Sequence, residues 1–258
     1  MHKASLNAAI ALSTAFVAGS VHAGWVTPKT SGLGLMYNCS PEATCQVQTT
    51  YGANPGGYRL LNARSTPVVL NGVMIGRVLD RVWRSRTDSS QYVFGTRVVL
   101  NRRDWSGSGL PYAIDDIFRY GFSANYTVEA GWRRARASDL RIEQVGRTAV
   151  GTNQGIKTYD LSVVDFAVPL IFPDNTPPDD DDDDDDELTI AEDPDEGVEA
   201  EEEETEDEPR RLRSAWLYVR TTATGYELSN DTIRLWNAGS AEGQPQESLW
   251  FNGFRPTF

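Results

Sequence analysis

Residues 179 to 208 carry 21 carboxylates and no Lys or Arg. No fold can bury such a stretch. It holds no aromatic residue and only a few aliphatic ones, so it has too little apolar surface to offset the entropy of ordering a chain. Whatever packs must therefore be assembled from the pieces on either side, and the tract is expected to be a long disordered acidic loop. The formal net charge of -13 belongs to this one segment, because the rest of the chain sets sixteen acids against 24 Lys and Arg and is basic.

The flanking pieces read as β structure. Tyr92 to Leu100 is rich in β-branched and aromatic residues and ends at Asn101-Arg102-Arg103-Asp104, which marks a strand with a polar exit. Similar runs are Val68 to Leu70, Val73 to Trp83, Tyr126 to Trp132, Leu140 to Val145, Tyr159 to Phe172, Ala215 to Thr222, Thr232 to Trp236 and Leu249 to Phe254. Asn71-Gly72 between the first two is the strongest hairpin signal, since both residue types tolerate positive φ. The Tyr159 run alternates in one phase to Val163 and in the other from Val164, which predicts a bulge there. One short helix is expected from Pro111 to Gly121, with Ile114, Ile117 and Phe118 on one side.

This pattern predicts an all-β fold, an antiparallel β-sandwich or jelly-roll-like single domain over 24–258, interrupted by the acidic insertion 179–208. The piece after the tract is too short to be a dependable unit alone, so it should complete a sheet begun earlier. We expect Tyr159 to Phe172 and Ala215 to Thr222 to pair, with the tract projecting from their shared end. A long insertion is tolerable because closure entropy grows only logarithmically with length.

The first 23 residues have the form of a secretory signal peptide: Lys3 near the start, an apolar stretch from Ala8 to Ala18, and small residues at Val21-His22-Ala23. Cleavage there predicts a secreted product, periplasmic or extracellular, beginning at Gly24. Both histidines of the sequence, His2 and His22, fall in this segment. The mature chain would then lack Ser-His-Asp and Cys-His catalysis and every His-ligated metal site. Cys39 and Cys45, the only cysteines, should be joined in an oxidising compartment as a disulfide closing a tight loop. The Cys-x-x-Cys spacing of a redox pair is absent.

Candidate sites are few. The run Asp179, Asp180, Asp181, Asp182, Asp183, Asp184, Asp185 and Asp186 concentrates oxygen ligands that suit hard cations such as weakly bound Ca²⁺, without the alternating order of an EF-hand loop. The same tract can instead attract a basic protein or the chain's own arginines. Those arginines cluster as Arg77, Arg81, Arg84 and Arg86, then Arg97, Arg102 and Arg103, then Arg133, Arg134 and Arg136, then Arg210, Arg211 and Arg213. Trp83, Trp105 and Trp132 lie among them, a composition that fits an anionic polysaccharide better than nucleic acid in an exported protein. Gly107-Ser108-Gly109 lacks a full nucleophile elbow, and Gly32-Leu33-Gly34 lacks the third glycine of a dinucleotide fingerprint. Asp115, Asp116, Asp160 and Asp165 are the acids available for glycoside hydrolysis. Asp165 interrupts an apolar run and is the best single candidate for a buried functional acid, although a solvent-facing position also explains it.

No apolar stretch is long enough for a membrane helix. Aromatic residues near the end, Trp250, Phe251, Phe254 and Phe258, suggest an outer-membrane barrel, but Arg77, Asp80, Arg81 and Arg84 occupy both faces of one strand and exclude a lipid face there. The expected function is a secreted, non-catalytic β module with no fixed cofactor, whose acidic loop binds cations or a basic partner. The alternative is a carboxylate-dependent glycan-active enzyme.

Overall fold

The computed structural model describes residues 24–30, 36–39, 45–47, 49–51, 53–107, 109–136, 139–147, 149–153, 156–159, 161–172, 211–239 and 246–258. Its strands, in chain order, are β1 (Tyr37–Asn38), β2 (Thr49–Tyr51), β3 (Asn54–Pro55), β4 (Tyr58–Leu70), β5 (Val73–Ser85), β6 (Gln91–Leu100), β7 (Ile114–Arg119) and β8 (Val128–Arg133). There follow β9 (Gln144–Gly146), β10 (Ala149–Asn153), β11 (Ile156–Tyr159), β12 (Val164–Leu170), β13 (Leu212–Arg213), β14 (Trp216–Thr222), β15 (Gly225–Asn237) and β16 (Glu247–Thr257).

Two antiparallel sheets form a β-sandwich. The first runs β4-β5-β6-β14-β8, with β13 also on β6, and the second runs β1-β9-β12-β7-β15-β16. Alternation along each strand decides what enters the core between them. On β5, β6 and β14 the inward set is Val78, Val82, Phe94, Val98, Leu217 and Val219, and on the second sheet it includes Ile117, Val164, Phe166, Ile233 and Leu235. The outward set of the first sheet is also apolar. Trp83, Trp216 and Tyr218 pack edge-on or stacked on one another and are covered by Trp25, Val47 and Ala53 of the N-terminal segment. Cys39 and Cys45 are joined in that segment, with Cα atoms 5.5 Å apart. It is held to β8 through Val26–Ala130 and Gln46–Trp132 bridges.

The Asn71-Gly72 hairpin is present: Leu70 faces Val73 across it, and both turn residues have positive φ, 50° and 83°. This is the combination that an Asn-Gly turn supplies without strain. Three other expectations are corrected. The segment read as a helix forms β7, a buried strand between β12 and β15, because two apolar sheet neighbours outweigh the weak local helical spacing. The phase shift at Val163–Val164 is no bulge within one strand. β11 ends at Tyr159, a turn occupies Leu161–Ser162, and β12 starts at Val164. Finally, β12 and β14 do not pair, since they lie in different sheets. The piece after the tract completes both sheets: β14 inserts between β6 and β8, while β15 and β16 extend the second sheet from β7. The described residues that flank the tract nevertheless lie at the same end of the sandwich. Phe172 lies under the Arg102 guanidinium at 5.8 Å, and Leu212 pairs with Leu100.

A buried ion pair crosses between the sheets. Asp80 of β5 is 2 % exposed and Arg119 of β7 is fully buried. Arg119 Nη1 donates to Asp80 Oδ1 at 2.7 Å and to Thr96 Oγ1 at 2.8 Å, and its Nη2 donates to the Phe254 carbonyl at 2.6 Å. The Phe254 N–H in turn donates to Asp80 Oδ2 at 2.6 Å. Gly253 makes this approach possible: a Cβ there would stand 2.9 Å from Asp80 Oδ2 and 2.8 Å from Ile233 Cδ1.

Burial pushes the Asp80 carboxyl above its ordinary range, while Arg119 and the Phe254 N–H pull it back. A carboxyl raised in the fold favours the native state while protonated and loses that contribution as pH rises. Arg119→Met removes the main opposing pull and should cost about 3–5 kcal/mol at pH 7, the cost of an uncompensated buried charge. The deficit relative to wild type should shrink at pH 4, and the Asp80→Leu/Arg119→Met double variant should recover much of it. Urea titrations at the two pH values measure this; an equal deficit at both would refute it.

Candidate functional site

The two outer faces of the sandwich differ. That of the first sheet is covered, as described above. On the second sheet, strand register lays Asp165, Phe118, Arg234 and Trp250 in one row across β12, β7, β15 and β16. Ala167, Asp116, Trp236 and Ser248 form the adjacent row. Positions two apart on a strand share a face, so both rows belong to the outer face while Ile117, Phe166 and Leu235 enter the core.

Arg234 is the centre of this face. Its guanidinium carbon lies 4.5 Å from the Trp236 ring, 5.1 Å from Phe118 and 5.4 Å from Trp250. Nε and Nη2 both donate to Ser248 Oγ, at 2.9 and 2.8 Å. Tyr120 extends the aromatic surface, with its ring 5.1 Å from that of Trp250. A cation enclosed by ring faces gains from their quadrupoles and is fixed in direction. Trp250 remains 46 % exposed and presents a ring to solvent.

Asp116, half-buried beside this cluster, is pushed up from 3.8 to about 6 by burial and by the charge of Asp115, with Arg234 pulling the other way. Asp165 sits diagonally across the β7–β12 pair from it, a separation of about 7 Å by strand geometry. Asp165 is only 6 % exposed, so of the two positions open to it from sequence it takes the buried one, and the solvent-facing one is corrected. Of the other acids named from sequence, Asp115 accepts the Ala238 N–H at 2.7 Å and is held as a strand-end anchor. Asp160 and the run Asp179 to Asp186 lie outside the described residues, as do the proposed signal segment and Gly32-Leu33-Gly34.

The arginines do not make one groove. Arg81 stacks over Trp216 at 4.9 Å on the first sheet's outer face, and Arg97 is buried against Asp139 and the Ser214 carbonyl. Burial pulls the Arg97 guanidinium below its ordinary range. Arg102 is also buried, over Phe172. The glycines around Ser108 serve a turn: Asp104 accepts the Gly107 and Gly109 N–H groups, both at 2.8 Å. Among the described residues no three His, Cys, Asp or Glu side chains converge in a metal-binding group. No helix there is long and apolar enough to cross a membrane.

Arg234, Phe118, Tyr120 and Trp236 were not read from the sequence as site residues. The available signal was the Arg-x-Trp spacing of Arg234 and Trp236, which places both on one face of any strand. Recognising Phe118 needed β7 to be read as a strand. Comparison of the chain with protein-family models, with curated proteins and with solved structures finds no match.

The raised Asp116 carboxyl favours the folded state when protonated. Its contribution is present below about 3.8 and is lost as pH rises through about 6. Asp116→Asn should therefore be insensitive to that transition, and between pH 5 and pH 7.5 the wild type should lose about 1 kcal/mol relative to it, allowing for partial exposure. A carboxyl-detected NMR titration should find the Asp116 midpoint near 6; a midpoint near 4 would refute the assignment.

Proposed function

We propose that this protein is an exported, non-catalytic β-sandwich binding module whose acidic tract binds hard cations or a basic partner. The partition of charge carries the reading. The 21 carboxylates of residues 179–208 stand against a basic remainder, and both chain ends leading to the tract are rooted at one end of the sandwich. Removal from the cytoplasm fits the joined Cys39 and Cys45. Adjacent carboxylates repel, so a bound cation gains ligands and relieves repulsion together; a long unbraced segment must also lose entropy to close around it. The balance favours several weak sites with affinities of about 0.1–1 mM, the range of extracellular modules.

A second reading, a carboxylate-dependent glycan-active enzyme, is favoured by one observation: Asp116 and Asp165 share a face on neighbouring strands, beside exposed Trp250. Paired carboxyls at such a spacing and a raised acid are what glycoside cleavage requires. The burial of Asp165 weighs against it, because a glycan must reach both groups.

Calorimetric titration with Ca²⁺ distinguishes the readings. The full chain should show gradual multi-site binding that weakens steeply between 20 and 200 mM NaCl, and deletion of residues 179–208 should abolish it while changing the melting temperature by only a few degrees. One tight, salt-insensitive site surviving the deletion would overturn the module reading. Glycan hydrolysis that is lost in both Asp116→Asn and Asp165→Asn would establish the alternative.

A further inference from the structure

At the opposite end of the first sheet from the roots of the tract, an open hollow of about 370 Å³ is lined by Arg59, Arg84, Ser85, Arg86, Thr87 and Ser89. Arg59 and Arg84 face each other directly across the β4–β5 ladder, and Arg86 follows where the hairpin is prolonged by its N–H to the Gly57 carbonyl at 2.9 Å. Like charges opposite one another on a sheet destabilise it. Here three arginines line one hollow with no carboxylate in the lining, and the Arg86 Nε donates to the Tyr58 carbonyl at 3.4 Å. The neighbouring acid, Asp88, is turned away: its Oδ1 accepts the Ser90 N–H at 2.9 Å and the Ser90 hydroxyl at 2.6 Å. Those bonds hold its carboxyl below the usual range, so it stays ionised and offsets one of the three positive charges.

We propose that this hollow is a binding site for a tetrahedral oxyanion, a sulfate or phosphate group. Guanidinium forks approaching from two strands and a turn, with the Thr87 and Ser89 hydroxyls on the rim, suit an anion with acceptor oxygens on several sides better than a flat carboxylate. Its volume falls within the small-ligand range and exceeds what one bare ion fills, which leaves room for the body carrying an ester. The site does not rest on the acidic tract. β6 has ten residues between the Gln91 and Leu100 ends, a span of about 30 Å, and the tract is rooted at the Leu100 end whereas Arg84 faces Tyr92.

The experiment titrates full-length protein with sodium sulfate, sodium phosphate and a dextran sulfate oligomer, at ionic strength matched with NaCl, following backbone amide NMR shifts and melting temperature. Sulfate and phosphate should shift the amides of residues 84–89 saturably, with affinity falling at least fivefold in Arg59→Gln and in Arg84→Ala and changing less than twofold in Arg77→Ala. Arg59 is exposed on an edge strand, so its variant remains testable if Arg84→Ala folds poorly. Without added oxyanion, Arg59→Gln should melt at or above the wild-type temperature, because it removes a like-charge pair that Asp88 offsets only in part. Tenfold tighter binding of dextran sulfate than of sulfate, lost in Arg59→Gln, would assign the anion to a polymer; equal affinity per sulfate would assign a free ion. Oxyanion effects no larger than those of chloride, or undiminished in Arg59→Gln, would overturn the proposal.

Discussion

A charge pair placed where no water reaches it fixes how the two sheets meet. Asp80 and Arg119 come from different sheets, and taking either ion out of water costs several kcal/mol unless its lone pairs and protons are met. Here Thr96 and the Phe254 backbone complete Asp80 and the two terminal nitrogens of Arg119, while Arg119 Nε finds no hydrogen-bond partner among the described residues. A displacement of one sheet along the other by one residue pair would leave a charge unpartnered, whereas the surrounding aliphatic contacts tolerate exchange. The pair thus selects one alignment among several that hydrophobic burial alone would accept. It also explains why Gly253 stands next to Phe254: the ladder must come close enough for a main-chain N–H to reach a carboxylate.

The same alignment separates three electrostatic environments. Phe172 and Leu212, which flank the tract, lie at one end, near Arg102 and the Arg97–Asp139 pair. The arginine-lined hollow occupies the other end of the first sheet. Between them, on the far side of the second sheet, Arg234 is held by aromatic rings beside a carboxyl poised near 6. Among the described residues, the outer face of the first sheet is the one that is covered, because the N-terminal segment lies across Trp83, Trp216 and Tyr218.

The strands with strong alternation were legible in the sequence because period-two patterning and β-branched residues act locally. Val73 to Trp83, Tyr92 to Leu100 and Ala215 to Thr222 were found this way, and Asn71-Gly72 located its turn. β7 was misread because Ile114, Ile117 and Phe118 mimic helical spacing, and its burial between β12 and β15 is a tertiary fact. Pairing was misread for a related reason: Tyr159 to Phe172 and Ala215 to Thr222 are neighbours across the tract in sequence, yet nothing local says which sheet each will join. For the candidate face, Asp116 and Asp165 were identifiable as acids among apolar residues. Their juxtaposition with Arg234 and Trp250 depended on register across four strands, which composition does not encode.

The order in which the chain uses its strands bears on how it folds. β14 occupies an interior place in the first sheet, β15 and β16 extend the second, and Phe254 closes the Asp80 site. All of them follow the tract. A chain emerging from a ribosome or a translocation channel therefore completes its first sheet only once Thr222 is free and its second only with its last strand, and its native pairings join segments far apart in sequence. High contact order makes folding slow and leaves strand edges open meanwhile. The strongly charged segment between the early and late strands gives every incomplete chain the same concentrated negative charge, and like charges oppose the association of such chains before the final hairpin arrives.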